Sequence, residues 1–591
     1  MGTALHEVER ASPAAALRAL RPIAPFNPLL DWAPAFTVAI FALPIGAGLL
    51  GTLAPAFGYL PAIGGHTFSL APWRTLFAYP GFATSLELTL ATGLAATLGA
   101  LAIALACCAL LHASRWGRRI EAMLAPLLAV PHAALAIGLA FLILPSGWIA
   151  RLFSPWLTGW DVPPDLLTVG HPSGWPIVGS LLIKEVPYLM LMIFGALNQV
   201  PAREQVRVAQ SLGYRRLVAW FKVVLPQVYP QIRLPVFAVL SFSLSVVDVA
   251  LILGPSNPPT LAVLAVRWFS DPDTARYFEG AAAALLLFVV VAAAIALWIG
   301  VEGAIALLGR AWVERGSRDR HARSAAVFAA GSLTALLVFA AAAIAGLAVW
   351  SFAQLWRFPM ALPQSMTLAN WAQQSGSLRD PTLTTIVIGV AATALALALT
   401  LACLEHEARL PAPRSARARG LPILWLIYLP LLVPQVAFLF GTQILLVRAG
   451  FDATLGAVIW AHLIFVLPYM FLSLADPWRA FDARYTRSAL ALGSSPLRVL
   501  VRVKLPILLR PLLIACAVAF AVSAGQYLPT LFAGSGRVAT LTTEAVTLAG
   551  GADRRVIGTW AILQAALPWL GYLIAALVPA ALYARRKALQ S

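Results

Sequence analysis

The chain has 591 residues, of which 60% are apolar and only 11% are charged. Soluble proteins carry about 25% charged residues, so this composition excludes a water-soluble enzyme and a disordered chain. The net charge of +18 does not indicate a nucleic-acid-binding protein, because the basic residues lie in short clusters between long apolar segments, as they do in membrane loops.

Long apolar segments follow one another along the whole chain. A helix needs about 20 mostly apolar residues to cross the hydrocarbon core of a bilayer. Segments of this kind lie at 33–55, 85–111, 122–145, 175–197, 233–255 and 280–308, and again at 324–350, 382–404, 421–447, 455–474, 511–532 and 557–584. The sequence therefore predicts an all-α integral membrane protein with about twelve transmembrane helices.

The loops between these segments differ in their content of basic residues. If the N-terminus lies in the cytoplasm, the cytoplasmic segments hold 31 Lys and Arg residues and the outer loops hold 10. Cytoplasmic loops of membrane proteins are enriched in Lys and Arg. Both termini are therefore predicted to be cytoplasmic.

The chain contains an internal repeat. Residues 207–226 align without a gap with residues 487–506, 280 positions later. Other matched pairs follow in the same chain order, among them Val130-Pro131 with Val433-Pro434, Pro187-Tyr188 with Pro468-Tyr469, and Thr260-Leu261 with Thr540-Leu541. Collinear matches of this kind indicate two parallel halves of six helices each.

The repeat sets the predicted domain organisation. An Arg-rich segment between the halves reads as a cytoplasmic linker. The predicted units are a cytoplasmic N-terminal segment 1–32, a first half 33–308 with its core at 85–308, the linker 309–323, a second half 324–584 with its core at 382–584, and a cytoplasmic tail 585–591.

The best-matched loop lies between the fourth and fifth helices of each half. In the first copy, apolar residues recur at three- and four-residue steps, as in two short amphipathic helices, and Gly213 at their junction suits a positive φ angle. The pair Leu225-Pro226 is predicted to end the second helix, because the residue before a proline is disfavoured in the α region. Two interpretations are open, namely interfacial helices lying on the membrane and docking helices for a cytoplasmic partner. The spacing of 13 residues from Gly to Pro in both copies favours docking.

This loop resembles the cytoplasmic motif of binding-protein-dependent ABC importer permeases, E-A-A-x3-G-x9-I-x-L-P. The matching residues are Ala209, Gly213, Leu225 and Pro226 in the first copy and Ala489, Gly493, Leu505 and Pro506 in the second. Arg207 and Arg487 stand where the motif has its leading Glu. The fused layout of two halves is similar to the permeases of ferric-iron and thiamine importers.

The resemblance implies a type I ABC importer permease fold in the bacterial inner membrane, with a translocation path between the two halves. It implies two cytoplasmic ABC ATPase subunits that receive the loop helices, and an extracytoplasmic substrate-binding protein that delivers a small solute. None of the four lysines completes a G-x4-G-K-[ST] phosphate loop, so ATP hydrolysis is expected on another chain. Membrane lipid is the other expected partner, without nucleic acid. No catalytic residue, cofactor or metal site is predicted, since the eight histidines show no metal-ligand spacing.

Two polar residues inside predicted spans are candidates for the translocation path. Asp248 and Gln526 lie in similar places of the two halves, at an offset of 278. Polar residues within a membrane mark transport pathways, although they also form simple hydrogen bonds between helices. An acidic residue suits a cationic substrate such as a thiamine-like cation or ferric iron, but one Asp does not identify it. Lys184 and Glu185 are adjacent in the fourth helix and form no evident pair.

A secondary transporter of the major facilitator type is the alternative, because it also has twelve helices in two parallel repeats. The basic cluster at 115–119 resembles part of that family's loop between helices two and three. The second half has no such cluster. The repeated motif lies between helices four and five, where the importer interpretation requires it.

Overall fold

The computed structural model describes residues 28–111, 115–316, 322–409 and 425–583. Within these ranges the chain is almost entirely helical, with two short antiparallel hairpins, Tyr59–Leu60 with Gly65–His66 and Ala353–Leu355 with Ser365–Met366. Ten of the described helices are long and apolar enough to cross a membrane, or up to twelve if each of two bent pairs is one span. The prediction of an all-α membrane protein with about twelve spans is confirmed.

The first half begins with a single helical turn at Pro28–Asp31. Its helices then follow as α1 Ala33–Ala56, α2 Ala71–Ala78, α3 Phe82–Leu111, α4 Arg115–Ala129, α5 His132–Ile143, α6 Trp148–Phe153, α7 Trp175–Leu197, α8 Ala202–Ser211, α9 Arg216–Ser245, α10 Asp248–Leu253, α11 Leu261–Phe269 and α12 Arg276–Glu314.

The second half follows a similar order. Its helices are α13 Ala322–Phe352, α14 Ala369–Arg409, α15 Trp425–Leu432, α16 Gln435–Arg448, α17 Leu455–Arg479, α18 Ala483–Ala491, α19 Pro496–Ile507, α20 Leu509–Ala524, α21 Leu528–Ala533, α22 Leu541–Ala549 and α23 Arg554–Leu582. One helix (α14) stands in place of α2 and α3, two (α19 and α20) stand in place of α9, and α6 has no counterpart among the described residues. The ends of α12 and α13 extend into the expected linker 309–323. Its residues 317–321 lie outside the described part of the chain, as do 1–27 of the expected N-terminal segment and the expected tail 585–591.

The third helix of each half is broken, which corrects the continuous spans expected at 122–145 and 421–447. Each break falls at a repeated Val-Pro pair, between α4 and α5 and between α15 and α16, where the axes of the second pair differ by 89°. Proline lacks an N–H and restricts the residue before it. In the first half, the buried Lys184 ammonium donates to the carbonyl oxygens of Leu128 and Val130 at 2.9 and 2.6 Å. The carbonyls left without helical partners at the end of α4 therefore receive a side-chain donor.

The two halves are interlocked by their first helices. Helix α1 packs along α16 of the second half, and α13 packs along α5 of the first half. A glycine lies at each crossing. A Cβ added at Gly138 would lie 2.7 Å from the backbone oxygen of Ala343, and one added at Gly441 would overlap the backbone oxygen of Gly48. Only glycine allows the helix backbones to approach this closely.

The repeat is visible in individual contacts. The N–H of Leu261 donates to Thr89 Oγ1 at 2.9 Å, and the N–H of Leu541 donates to Thr385 Oγ1 at 3.0 Å. In the first half this bond joins the start of α11 to α3, and in the second half it joins the start of α22 to α14. The two parallel repeats expected from the sequence are therefore present as structurally equivalent halves.

Candidate partner-binding loops and the interface between the halves

The first loop (residues 202–226) folds as α8, a tight turn and the start of α9. Gly213 forms the turn with a φ angle of +88°. The N–H of Tyr214 closes the turn by donating to the carbonyl of Ala209 at 3.2 Å. Ala209 is buried, whereas Val208 and Leu212 are 62% and 60% exposed. The positive φ angle expected for this glycine is confirmed.

The second loop (residues 483–506) has the same geometry. Gly493 has a φ angle of +81°, and the N–H of Ser494 donates to the carbonyl of Ala489 at 3.1 Å. Ala489 is half-buried, and Leu492 is 86% exposed. Each loop therefore carries an exposed leucine immediately before its glycine, at positions 280 residues apart.

The loop helix of the second half has a side-chain cap. Asp482 accepts the N–H of Arg484 at 2.9 Å at the start of α18. The side chain of Arg484 also donates to this carboxylate, and these hydrogen bonds hold the pKa of Asp482 below its usual value. The corresponding helix α8 has no side-chain cap at its start.

The helix after each glycine does not end at the Leu-Pro pair, so that prediction was wrong. Leu225 and Leu505 have helical φ and ψ angles of −54°, −44° and −59°, −42°. A π-helical turn precedes each pair, at Trp220–Val224 and at Leu500–Lys504. The widened turn places the proline at the start of the next helical segment, where its missing N–H and its ring are tolerated. In the second half the chain bends, by 81°, only after Ile507.

The Leu-Pro pairs lie at the base of the loops and differ in exposure. Leu225 is half-buried and Pro226 is exposed, whereas Leu505 and Pro506 are both half-buried. The hydroxyl of Tyr583 donates to the carbonyl of Pro506 at 3.0 Å. The pair in the second half is thus also held by the end of the last helix.

Two buried lysines, which the sequence analysis did not single out, anchor the loops. Lys222 in the first π turn donates to the carbonyl of Trp312 at 2.9 Å and lies 4.5 Å from that indole ring. Lys504 in the second π turn pairs with Glu405 and lies 5.5 Å from the ring of Trp478. The first loop is therefore fastened to α12 and the second to α14. The only signal in the sequence was the scarcity of lysine, of which the chain has four.

The spans that carry Asp248 and Gln526 are both interrupted near these residues. Asp248 begins α10, and Gln526 lies between α20 and α21; both are half-buried. Helices α10 and α21 begin 280 positions apart, so Asp248 corresponds in position to Leu528. Asp248 interacts electrostatically with His132 of α5 and with Tyr527, the neighbour of Gln526. The structure thus brings the two candidate path residues to the same region between the halves.

A second carboxylate lies at this interface. Glu185 of α7 is 6% exposed, and its Oε1 is 3.5 Å from Nε2 of His132. Glu185 interacts electrostatically with Tyr188 and with Tyr469, which is the repeat partner of Tyr188. Both tyrosines also interact with Tyr428. Sequence reasoning missed this cluster, although the repeated Pro-Tyr pair was a signal for it.

His462 stabilises the interruption in the second half. Its Nδ1 is 2.8 Å from the hydroxyl of Ser523 in α20, and its Nε2 is 2.9 Å from the hydroxyl of Thr530 in α21. Both ring nitrogens are therefore used in hydrogen bonds that join the two helices. No group of three or more His, Cys, Asp or Glu side chains within the described ranges could hold a metal ion.

Comparison with known proteins gives one extensive similarity. The chain is 33% identical over 543 residues to the inner membrane ABC transporter permease protein YnjC of Escherichia coli (strain K12). The alignment covers 92% of this chain and 94% of that protein, so it includes most of both halves. No protein-family model matches the chain.

Proposed function

This chain belongs to the ABC transporter permeases, and from that premise we propose that it is the fused permease subunit of a binding-protein-dependent importer. A permease is a multi-pass inner-membrane transporter subunit and not an enzyme, and the family works with ATPase partners. In the proposed assembly, two cytoplasmic ATPase subunits hydrolyse ATP, and an extracytoplasmic binding protein delivers the solute. This premise sets aside the major facilitator alternative.

The observation that carries the proposal is the pair of equivalent loops. Both contain a short helix, a glycine with positive φ and a π turn, and Leu212 and Leu492 are exposed at the same place. Interfacial helices would need only an apolar face against lipid. Two copies of one surface, each anchored near the end of its loop by a buried lysine, suit docking to two identical or closely similar ATPase subunits.

The polar groups between the halves support a translocation path there. Asp248 and Glu185 supply two carboxylates, and Gln526 adds an uncharged polar group beside Tyr527. Tyrosine rings attract cations through their faces. These groups favour a small cationic solute, with a thiamine-like cation or ferric iron as the classes that the resemblance to fused permeases suggests.

The proposed orientation follows the distribution of basic residues. The loops, both termini and the segment 309–323 face the cytoplasm, where the excess of Lys and Arg lies. The opposite face receives the binding protein. The chain is organised as two permease halves, 33–308 and 324–584, joined by that segment.

Reconstitution tests the energy source. The full-length chain is placed in proteoliposomes with the ATPase that co-purifies with it and with its binding protein. Uptake should require ATP and persist after the proton gradient is collapsed. Uptake by this chain alone, driven by a pH gradient, would overturn the proposal.

A further inference from the structure

The interface between the halves contains an aromatic cluster on the face opposite the loops. The rings of Phe269 and Phe440 stack with centroids 3.9 Å apart. Phe532 meets Phe269 edge-on at 5.9 Å, and Tyr277 meets Phe440 edge-on at 5.8 Å. These rings come from α11 and α12 of the first half and from α16 and α21 of the second. The cluster therefore fills the contact between the halves on one side.

The repeat places four smaller, aliphatic residues at the corresponding positions on the other side. Corresponding residues lie 303 positions apart in α5 and α16, as the matched Val-Pro pairs do, and 280 positions apart elsewhere, as the matched short helices do. Ala549 corresponds to Phe269, Ile137 to Phe440, Ile252 to Phe532, and Ile557 to Tyr277. All four line a cavity of about 240 Å³ between α5, α10, α22 and α23. The cavity is thus the space that the aromatic cluster fills at its equivalent site.

One side of the cavity is positively charged. Arg554 lines it, and its guanidinium donates to the carbonyl and hydroxyl oxygens of Ser146 at 3.1 and 2.6 Å. Among the described residues no ion pair of Arg554 within 4.0 Å is present, and the neighbouring Asp553, which interacts with Arg554 electrostatically, pairs directly with Arg555. A guanidinium has five N–H donors, so donors remain for a ligand. The equivalent position beside the aromatic cluster is Thr274.

The cavity is half open to its surroundings, and its volume sets the size of the part of a ligand that it can enclose. A water molecule occupies about 30 Å³ in the liquid, so 240 Å³ accommodates about eight non-hydrogen atoms. The walls other than Arg554 are aliphatic or aromatic side chains and the backbone of a Gly-Gly-Ala turn. We propose that this cavity binds a small organic anion, a monocarboxylate with a compact apolar body, whose carboxylate pairs with Arg554. The bound anion completes on this side the packing that the aromatic cluster provides on the other, and so it holds the two halves together.

Hexanoate, with eight non-hydrogen atoms, is the probe for this site. Binding of radiolabelled hexanoate to the purified full-length chain is measured by equilibrium dialysis, together with the unfolding temperature. Hexanoate should bind saturably and raise the unfolding temperature. Hexan-1-ol and hexylammonium, which have the same chain without the negative charge, should bind at least tenfold more weakly. Equal binding of hexylammonium and hexanoate would contradict the proposal.

Two substitutions locate the site. Ala549→Phe introduces the ring present at the equivalent position 269, so it should abolish saturable hexanoate binding and raise the unfolding temperature without ligand. Arg554→Gln keeps amide donors for Ser146 but removes the charge, and should weaken hexanoate binding at least tenfold. The control Ala576→Phe, at an exposed position of the same helix α23, should change neither measurement.

A variant in the aromatic cluster distinguishes the effect of the arginine charge on hexanoate binding from the effect of free volume. Phe269→Ala opens space in the aromatic cluster, where no arginine lines the equivalent position. It should create no additional hexanoate site. If Ala549→Phe does not fold, Arg554→Gln decides alone, and a folded Arg554→Gln protein with unchanged hexanoate affinity shows that the proposed site is wrong.

Discussion

Lys504 at the base of the second loop forms an ion pair with Glu405 of α14, and the two side chains are only 10% and 9% exposed. Removing one partner of a buried pair leaves a charge without compensation, which costs about 3–5 kcal/mol. We expect Glu405→Gln to lower the unfolding temperature and to weaken ATPase retention through the second loop. The double variant Glu405→Gln, Lys504→Met should regain part of the stability, because neither member of this pair is left as an uncompensated charge. Arg409, which also pairs with Glu405 at 3.5 Å, still loses this ion pair.

A solvent-exposed pair nearby provides the control for this prediction. Glu407 pairs with Arg479, and both side chains are nearly half exposed. Exposed pairs contribute about 0–1 kcal/mol, so Glu407→Gln should leave the unfolding temperature almost unchanged. Equal losses in Glu405→Gln and Glu407→Gln would show that the buried pair does not anchor the loop.

The turn glycines should be necessary for ATPase docking. Residues other than glycine rarely adopt φ angles near +80°, and a side chain at Gly493 would project into open space. We expect the double variant Gly213→Asp, Gly493→Asp to insert normally but to lose its ATPase during co-purification and to stop transport. Arg207→Glu, which restores the residue of the importer motif, should be tolerated far better. Normal ATPase retention and transport by the double Asp variant would show that these loops do not dock the ATPase.

The loops were predictable from sequence because their geometry is local. The positive φ of Gly213 follows from its place between two short amphipathic patterns, and the repeat doubles that signal. The continuation of the helix through the Leu-Pro pair was not predictable, because the π turns before it contain Lys222 and Lys504, whose partners lie in helices distant along the chain. The same holds for the cluster around Glu185, whose members are far apart in the chain and meet only when the halves assemble.

Lys184 should stabilise the break in the third helix of the first half. Each buried carbonyl that loses its donor costs about 1–3 kcal/mol, so we expect Lys184→Met to lower the unfolding temperature clearly. At the equivalent break of the second half, the carbonyl of Leu432 accepts a hydrogen bond at 2.9 Å from the hydroxyl of Ser241, which lies in α9 of the first half. Ser241→Ala removes one neutral hydrogen bond, so it should lower the unfolding temperature less than Lys184→Met does. Thermal unfolding of the purified protein ranks the two variants, and the reverse order would refute the capping role of Lys184.

The proposed topology places the connection between the halves in the cytoplasm. A cysteine introduced at Gly316 should react with a membrane-impermeant maleimide only when the cytoplasmic side is accessible, as in inverted vesicles. A protease site inserted at 317–321 should be cleaved from the same side, and both halves should remain together because α1 and α13 interlock them. Labelling of residue 316 from the outer side of intact cells would reverse the assigned orientation.

Asp248 should be required for transport and not for assembly. It lies half-buried where its span is interrupted, and it interacts electrostatically with Tyr527 of the other half. In the proposed path a carboxylate at that point would stabilise a passing cation, so we expect Asp248→Asn to reduce uptake at least tenfold while ATPase retention and the unfolding temperature stay unchanged. Asp248→Glu retains the charge and should recover part of the uptake. Gln526→Leu removes only an uncharged polar group, and its effect should be smaller. Wild-type uptake by Asp248→Asn would exclude this carboxylate from the path, whereas a loss of uptake together with a lower unfolding temperature would assign it a structural role.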